Sequence, residues 1–169
     1  MARIAIDTNV FIHLTNPHNN PGSHIDQLLM HLAKNQPRLC VDSTCKIGNE
    51  YEEKLGPRIR DLNDTGLAVY LLRFWMNPDI RDVIETHLTD LLMRRIRQVI
   101  PEVDEHADRA FVYVSCRGGC CLVSNDDGHI YSRRKDLKDK TRKLRGENWR
   151  IVNSQEAIGF LVQPNQVAS

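Results

Sequence analysis

The chain lacks any apolar run approaching the ~20 residues that cross a bilayer, so no membrane partner is expected. Met1-Ala2-Arg3-Ile4 leads straight into strand-like sequence, and no secretion leader is expected there. CxxC pairs are missing too. The five cysteines (Cys40, Cys45, Cys116, Cys120 and Cys121) are odd in number, which argues against a disulfide framework and for a reducing cytoplasm. A zinc site on Cys116, Cys120 and Cys121 fits less well than packing of small residues at a helix end and a buried strand. No GxGxxG or GxxxxGK[ST] loop is present, and no catalytic serine or cysteine–histidine arrangement stands out. The formal net charge is only +1, so any recognition of a polyanion depends on where the basic residues lie.

What is there is an alternation of short apolar runs and helical patterns over 169 residues, enough for one substantial core. Ile4-Ala5-Ile6, Arg38-Leu39-Cys40-Val41, Cys120-Cys121-Leu122-Val123 and Trp149-Arg150-Ile151-Val152 read as strands. Between them, Ser23 and Asp26 open a helix that buries Ile25, Leu28, Leu29, Leu32 and Ala33. Asp42 and Ser43 cap a second, bearing Ile47, Glu50, Tyr51 and Lys54, which Gly56-Pro57 is expected to stop. Asn16 to Gly22 reads as a loop, and Leu67 to Met76 as a helix ended by Asn77-Pro78. From Ile80 to Ile100 the spacing predicts one long amphipathic helix, interrupted by Pro101. A shorter helix carries Ala107, Ala110, Phe111 and Val114 and ends at Gly118-Gly119, and Ser154 is expected to cap a last one. Together these imply an α/β domain with a covered, mostly parallel sheet of four or five short strands.

In such a sheet, sites form outside the carboxyl ends of the strands. Asp7 and Asp126 each stand where a strand ends and point toward one crevice. Either alone would read as a helix cap; two on separate strands suggest a shared role. Glu50 shares a helix face with Ile47 and Lys54. Asp104 and Asp108 are four residues apart on another helix, a like-charge pair that a common cation would relieve. Gathered carboxylates suit a hard cation such as Mg²⁺ or Mn²⁺, which orients water and neutralises charge on a phosphodiester.

Ile4-Ala5-Ile6-Asp7-Thr8-Asn9-Val10-Phe11-Ile12 resembles the first motif of PIN domains, the metal-dependent nucleases that include VapC-type toxins. Glu50 resembles that family's second acid. The stretch from Asp108-Arg109-Ala110-Phe111 to Leu122-Val123-Ser124-Asn125-Asp126 resembles its third and fourth. The resemblance implies an α/β/α sandwich spanning residues 1–169, with an enlarged helical region at about 57–101. It implies Asp7, Glu50, Asp108 and Asp126 as catalytic ligands of Mg²⁺ or Mn²⁺, with Asp104 and Asp127 as further ligands. Thr8, Asn9 and Asn125 would support the loops or contact substrate. The implied activity is endoribonuclease, with an antitoxin-like protein as a candidate partner, while the expected 80–100 helix offers a face for an inhibitor or for a second copy in a homodimer. Asp127-Gly128-His129 lacks the acid-then-phenylalanine ending common in the family.

Between Arg133 and Arg145 stand Arg133, Arg134, Lys135, Lys138, Lys140, Arg142, Lys143 and Arg145, opposed only by Asp136 and Asp139. This segment is either a solvated loop or the border along which RNA approaches the acids, with Arg133, Arg134, Lys138, Lys140, Arg142 and Lys143 as contacts. Arg94, Arg95 and Arg97 form a second patch, and Tyr131 is either a stacking platform or a packing residue. His129 is a candidate proton carrier or phosphate contact. The other readings are a structure-specific DNA nuclease, a silent RNA-binding or regulatory module, and an interaction protein docking through the 80–100 helix.

Overall fold

The structure, a computed structural model, describes residues 3–14, 24–61 and 77–161. Five parallel strands, β1 (Arg3–Ile6), β2 (Arg38–Asp42), β3 (Arg81–Ile84), β4 (Cys121–Val123) and β5 (Arg150–Val152), form one sheet in the order β3-β2-β1-β4-β5. The helices are α1 (Thr8–Leu14), α2 (His24–Asn35), α3 (Lys46–Asp61), α4 (Leu91–Val99), α5 (His106–Gly118), α6 (Arg134–Thr141) and α7 (Ser154–Leu161).

β1 is central because Ile4, Ala5 and Ile6 are almost wholly shielded from solvent, which only a strand covered on both faces allows. Its neighbours pair at Ile4↔Leu39 on one side and at Ile4↔Cys121, Ala5↔Leu122 and Ile6↔Val123 on the other. The chain therefore winds outward in opposite directions from the β1–β4 pair, leaving a crevice at their carboxyl ends. Helix α5 packs over β1, β2 and β4 through a solid apolar block from Ala110 to Val114, while α2 packs against α7. Gly119 ends α5 in a left-handed conformation (φ 59°), and its amide bonds back to the Cys116 and Ser115 carbonyls.

Three expectations change. The expected 80–100 helix is instead β3, a connection and α4. Val83 and Ile84 imitate a helical pattern, but β3 hydrogen-bonds along β2 with Cys40↔Asp82 and Val41↔Val83 in register. The true helix start is Asp90, whose carboxylate accepts from the Met93 amide at 2.8 Å. Second, α3 does not stop at Gly56-Pro57 but runs on to Asp61 with Pro57 inside it. Third, α7 is capped by Asn153 rather than Ser154. Asn153 accepts from the Glu156 amide at 2.7 Å, and Glu156 accepts from the Asn153 amide at 3.2 Å, a reciprocal box. The expected loop at 16–22, the Ser23 cap and the 67–76 helix lie outside the described residues.

Candidate active site

Three acids end strands, and their surroundings separate their roles. Asp42, the last residue of β2, is a cap: it accepts from the Lys46 and Ile47 amides (2.9 and 2.8 Å) and from the Thr44 hydroxyl (2.5 Å). Asp7, after β1, is only 4% exposed and accepts from Ser124 Oγ (2.6 Å), Asn9 Nδ2 (2.9 Å) and the Asn9 amide (3.2 Å). Asp126, after β4, accepts from the amides of His129 (2.7 Å), Gly128 (2.9 Å) and Ile130 (2.9 Å). It therefore both braces the following turn and faces the crevice.

The two strand ends are stitched together. Asn9 bonds Asp7 with its amide nitrogen, and its side-chain oxygen accepts from the Asn125 amide at 3.1 Å. Ser124 donates to Asp7 and accepts from the Asp126 amide at 3.1 Å. Asn125 in turn accepts from the Ser154 amide at 2.9 Å, tying the loop to α7. Asn9 and Asn125 thus act as braces. Thr8 is buried at the first position of α1, which places it in the packing rather than on the surface. Its Oγ1 has no hydrogen-bond partner among the described residues. Beneath Asp7, Tyr51 lies between the rings of Phe11 and Phe111 and donates to the Ile6 carbonyl.

The charges are crowded. Burial raises the Asp7 carboxyl from 3.8 to about 6 against the pull of its hydrogen bonds, with the Asp126 and Glu50 charges adding to the rise. Burial, then the charges of Asp7 and Glu105, a shared hydrogen bond with Glu105 and the charge of Asp126, push Asp108 up to about 8. Asp126 goes the other way. Burial would raise it, but the Ile130, Gly128 and His129 amides outweigh that and hold it below the usual carboxylate range. Glu50 is paired with Lys54 at 2.5 Å, and the Lys54 ammonium is raised by that contact and by the fields of Asp108 and Asp7. Among the described residues, no basic side chain pairs with Asp7.

Asp7 thus feels the charges of Glu50 and Asp126, and Asp108 those of Asp7 and Asp126. The sequence reading placed Asp104 beside Asp108; in the structure Asp104 is exposed on the turn before α5. The neighbour of Asp108 is instead Glu105, which that reading missed. His129 Nδ1 lies 3.2 Å from Asp108 Oδ2, 3.6 Å from Glu105 Oε1 and 4.0 Å from Asp126 Oδ2. Glu105, Asp108 and His129 form a donor set within 4.8 Å of one another. The signal for Glu105 was its i, i+3 spacing from Asp108, on the same helix face. Asp127 is exposed on the turn. An open cleft of about 320 Å³ adjoins the acids, lined by Lys46, Asn49, Glu50, Lys54, Asp104 and Asp108 among others.

Within the basic segment, Arg134, Lys135, Lys138 and Lys140 lie on helix α6, anchored by buried Leu137 and Thr141, and Arg142, Lys143 and Arg145 follow its end. Arg133 is held in a fork on Glu102 (2.6 and 3.0 Å) and bonds the Val99 carbonyl at 2.8 Å. That fork holds the Glu102 carboxyl down at about 2. Arg134 covers one face of the Tyr131 ring at 3.9 Å, and the Tyr131 hydroxyl donates to Glu156 at 2.8 Å. Lys140, Arg142 and Lys143 are exposed, and Lys138 is half-buried.

No protein-family profile matches the chain, and no curated protein matches it in sequence. Among solved structures, it is similar to a chain in the crystal structure of VapBC2 from Rickettsia felis bound to a DNA fragment from its promoter. That match has 13% identity and a TM-score of 0.43, and covers 89% of this chain and 98% of the other. No role for any residue above rests on this likeness.

Proposed function

We propose that residues 1–169 form one PIN-like nuclease domain that hydrolyses RNA phosphodiester bonds with Mg²⁺ or Mn²⁺ held by Asp7, Glu50, Asp108 and Asp126. One observation carries the reading. Where the strand order reverses, Asp7 feels the charges of Asp126 and Glu50 and Asp108 feels those of Asp7 and Asp126, and burial first and these charges second push both carboxyls upward. A divalent cation answers that instability, and the all-oxygen donors of these four residues suit a hard ion. When bound, the ion supplies an activated water and neutralises charge at the scissile phosphate. The chain's own groups do the remainder. Ser124 and Asn9 fix the Asp7 carboxylate, the 126–130 turn fixes Asp126, and Lys54 steadies Glu50. Asp108 and Asp7 release protons as the cluster becomes competent. Lys138, Lys140, Arg142 and Lys143 draw the polyanion toward the acidic crevice.

The preference for RNA rests on the sequence resemblance, as does an antitoxin-like protein inhibitor, because the acids would serve DNA equally well. The test is to incubate labelled single-stranded RNA and DNA with the purified protein, adding Mn²⁺, Mg²⁺ or chelator. Metal-dependent RNA cleavage, abolished in Asp7→Asn and Asp126→Asn, is expected. Cleavage of DNA alone would favour the DNA-nuclease reading, and full activity in both variants would assign the cleavage to a contaminant. No metal-dependent cleavage of either polymer would sink the enzymatic reading.

A further inference from the structure

We infer that the metal site takes a nitrogen donor: His129 Nδ1, together with Asp108 and Glu105, ligates the ion and biases the site toward Mn²⁺ over Mg²⁺. This rests on the reading of the carboxylate cluster as a metal centre.

The donor atoms stand close to the spacing of neighbouring ligands on one ion. In octahedral coordination at about 2.1 Å, adjacent donor atoms stand about 3 Å apart. His129 Nδ1 is 3.2 Å from Asp108 Oδ2 and 3.6 Å from Glu105 Oε1, so side-chain shifts of a few tenths of an ångström complete such an edge. The imidazole is carried there by the Asp126 turn. Its backbone amide donates to Asp126 Oδ2 at 2.7 Å, so the main chain that carries the ring is fixed by the same bonds that fix the fourth acid.

Glu105 gives a separate indication. It occupies the N-cap position of α5, where serine, threonine, aspartate or asparagine would bond the first free amides. Its side chain makes no capping hydrogen bond. The carboxylate faces Asp108 and His129 instead, leaving the helix start weaker than it need be.

Nitrogen donors change selectivity. Mg²⁺ takes oxygen ligands and dehydrates reluctantly, whereas imidazole suits transition-metal ions. A cluster of carboxylates alone would discriminate little between Mg²⁺ and Mn²⁺; one imidazole in the set gives Mn²⁺ the advantage.

The experiment uses the full chain with Mn²⁺ as the probe. Free Mn²⁺ is counted by its electron paramagnetic resonance signal, and pulsed measurement on the bound ion reads ¹⁴N coupling. Expected are bound Mn²⁺ with imidazole ¹⁴N coupling, loss of that coupling in His129→Gln, and a Mn²⁺-over-Mg²⁺ preference about tenfold weaker in that variant. Bound Mn²⁺ that is released by Asp7→Asn but shows no ¹⁴N coupling would overturn the nitrogen ligand and leave the carboxylate centre standing. Coupling that persists in His129→Gln would assign it to another nitrogen and overturn the role of His129. Failure to bind Mn²⁺, or binding indifferent to Asp7→Asn, would overturn the metal centre and the inference with it.

Discussion

Asp108→Asn offers the sharpest physical test of the crowded cluster, because it needs no substrate. The folded Asp108 holds its proton up to about 8, against 3.8 for the ordinary carboxyl. An acid raised on folding contributes stability that is fully present below pH 3.8 and lost as the pH climbs through the folded value. Between pH 5 and pH 8 the unfolded chain has already released this proton while the native state has not. Each pH unit then removes about 1.4 kcal/mol, a ceiling of about 4 kcal/mol over the interval. Asp7, raised to about 6, falls in the same direction over the first part of the range. The two rises share one repulsion, so about 3 kcal/mol is the working figure for the pair. In a chain of 169 residues that corresponds to a fall in Tm of about 6–12 °C.

In the variant, the side-chain amide cannot ionise and still donates toward Glu105, as the protonated carboxyl does. Thermal unfolding in chelator should therefore show the natural chain losing stability from pH 5 to pH 8, with most of that loss absent from Asp108→Asn. Mn²⁺ at a hundred times its Kd should restore about 2.7 kcal/mol to the natural chain at pH 8 and much less to the variant. A variant less stable than the natural chain at pH 8 in chelator, or two parallel pH profiles, would refute a carboxyl at Asp108 raised by burial and by its acidic neighbours.

Two further outcomes come from particular contacts. Replacing Lys138, Lys140, Arg142 and Lys143 with glutamine should weaken RNA binding and flatten its log–log salt slope by up to about 3, at ~0.7 per lost phosphate contact. Arg133→Gln, which breaks the fork on Glu102, should lower Tm and leave that slope alone; an unchanged slope in the fourfold variant would remove the 138–143 segment from the RNA path. Gly146→Ala should cost about 1–3 kcal/mol, since a Cβ there would stand 2.7 Å from the Gly119 Cα, a backbone atom that cannot swing aside. Gly48→Ala, in the open on α3, should instead stabilise by about 0.5–1 kcal/mol, and equal effects of the two in urea unfolding would contradict the packing described.

Legibility depends on where the information sits along the chain. Strands that are buried on both faces announce themselves as short apolar runs, and β1, β2, β4 and β5 were all read from sequence within a residue or two. β3 and β5 are both edge strands, but Ile151 and Val152 of β5 are buried whereas Val83 of β3 is 61% exposed, so β3 carries no such run and its two apolar residues fall into the helical rhythm of α4. Its identity comes from pairing with β2, a contact distant in sequence.

The site divides along the same line. Asp7 and Asp126 are set by local order: each comes after a strand, and the sheet topology brings the two ends together. Asp42 occupies the same kind of position, yet its carboxylate is committed to the amides opening α3. Strand-end logic alone therefore does not separate a cap from a ligand; the hydrogen-bond partners do. Asp104 and Glu105 part for a related reason. Both flank the start of α5, and the i, i+4 and i, i+3 relations to Asp108 are equally helical. What separates them is where the helix begins. With His106 as its first residue, Asp104 is left on the preceding turn, and Glu105 stands at the cap, 3.6 Å from His129. His129 itself is placed by the Asp126 turn, a bond pattern confined to five residues. The acid that anchors the turn is thus also the element that brings a nitrogen into the carboxylate cluster.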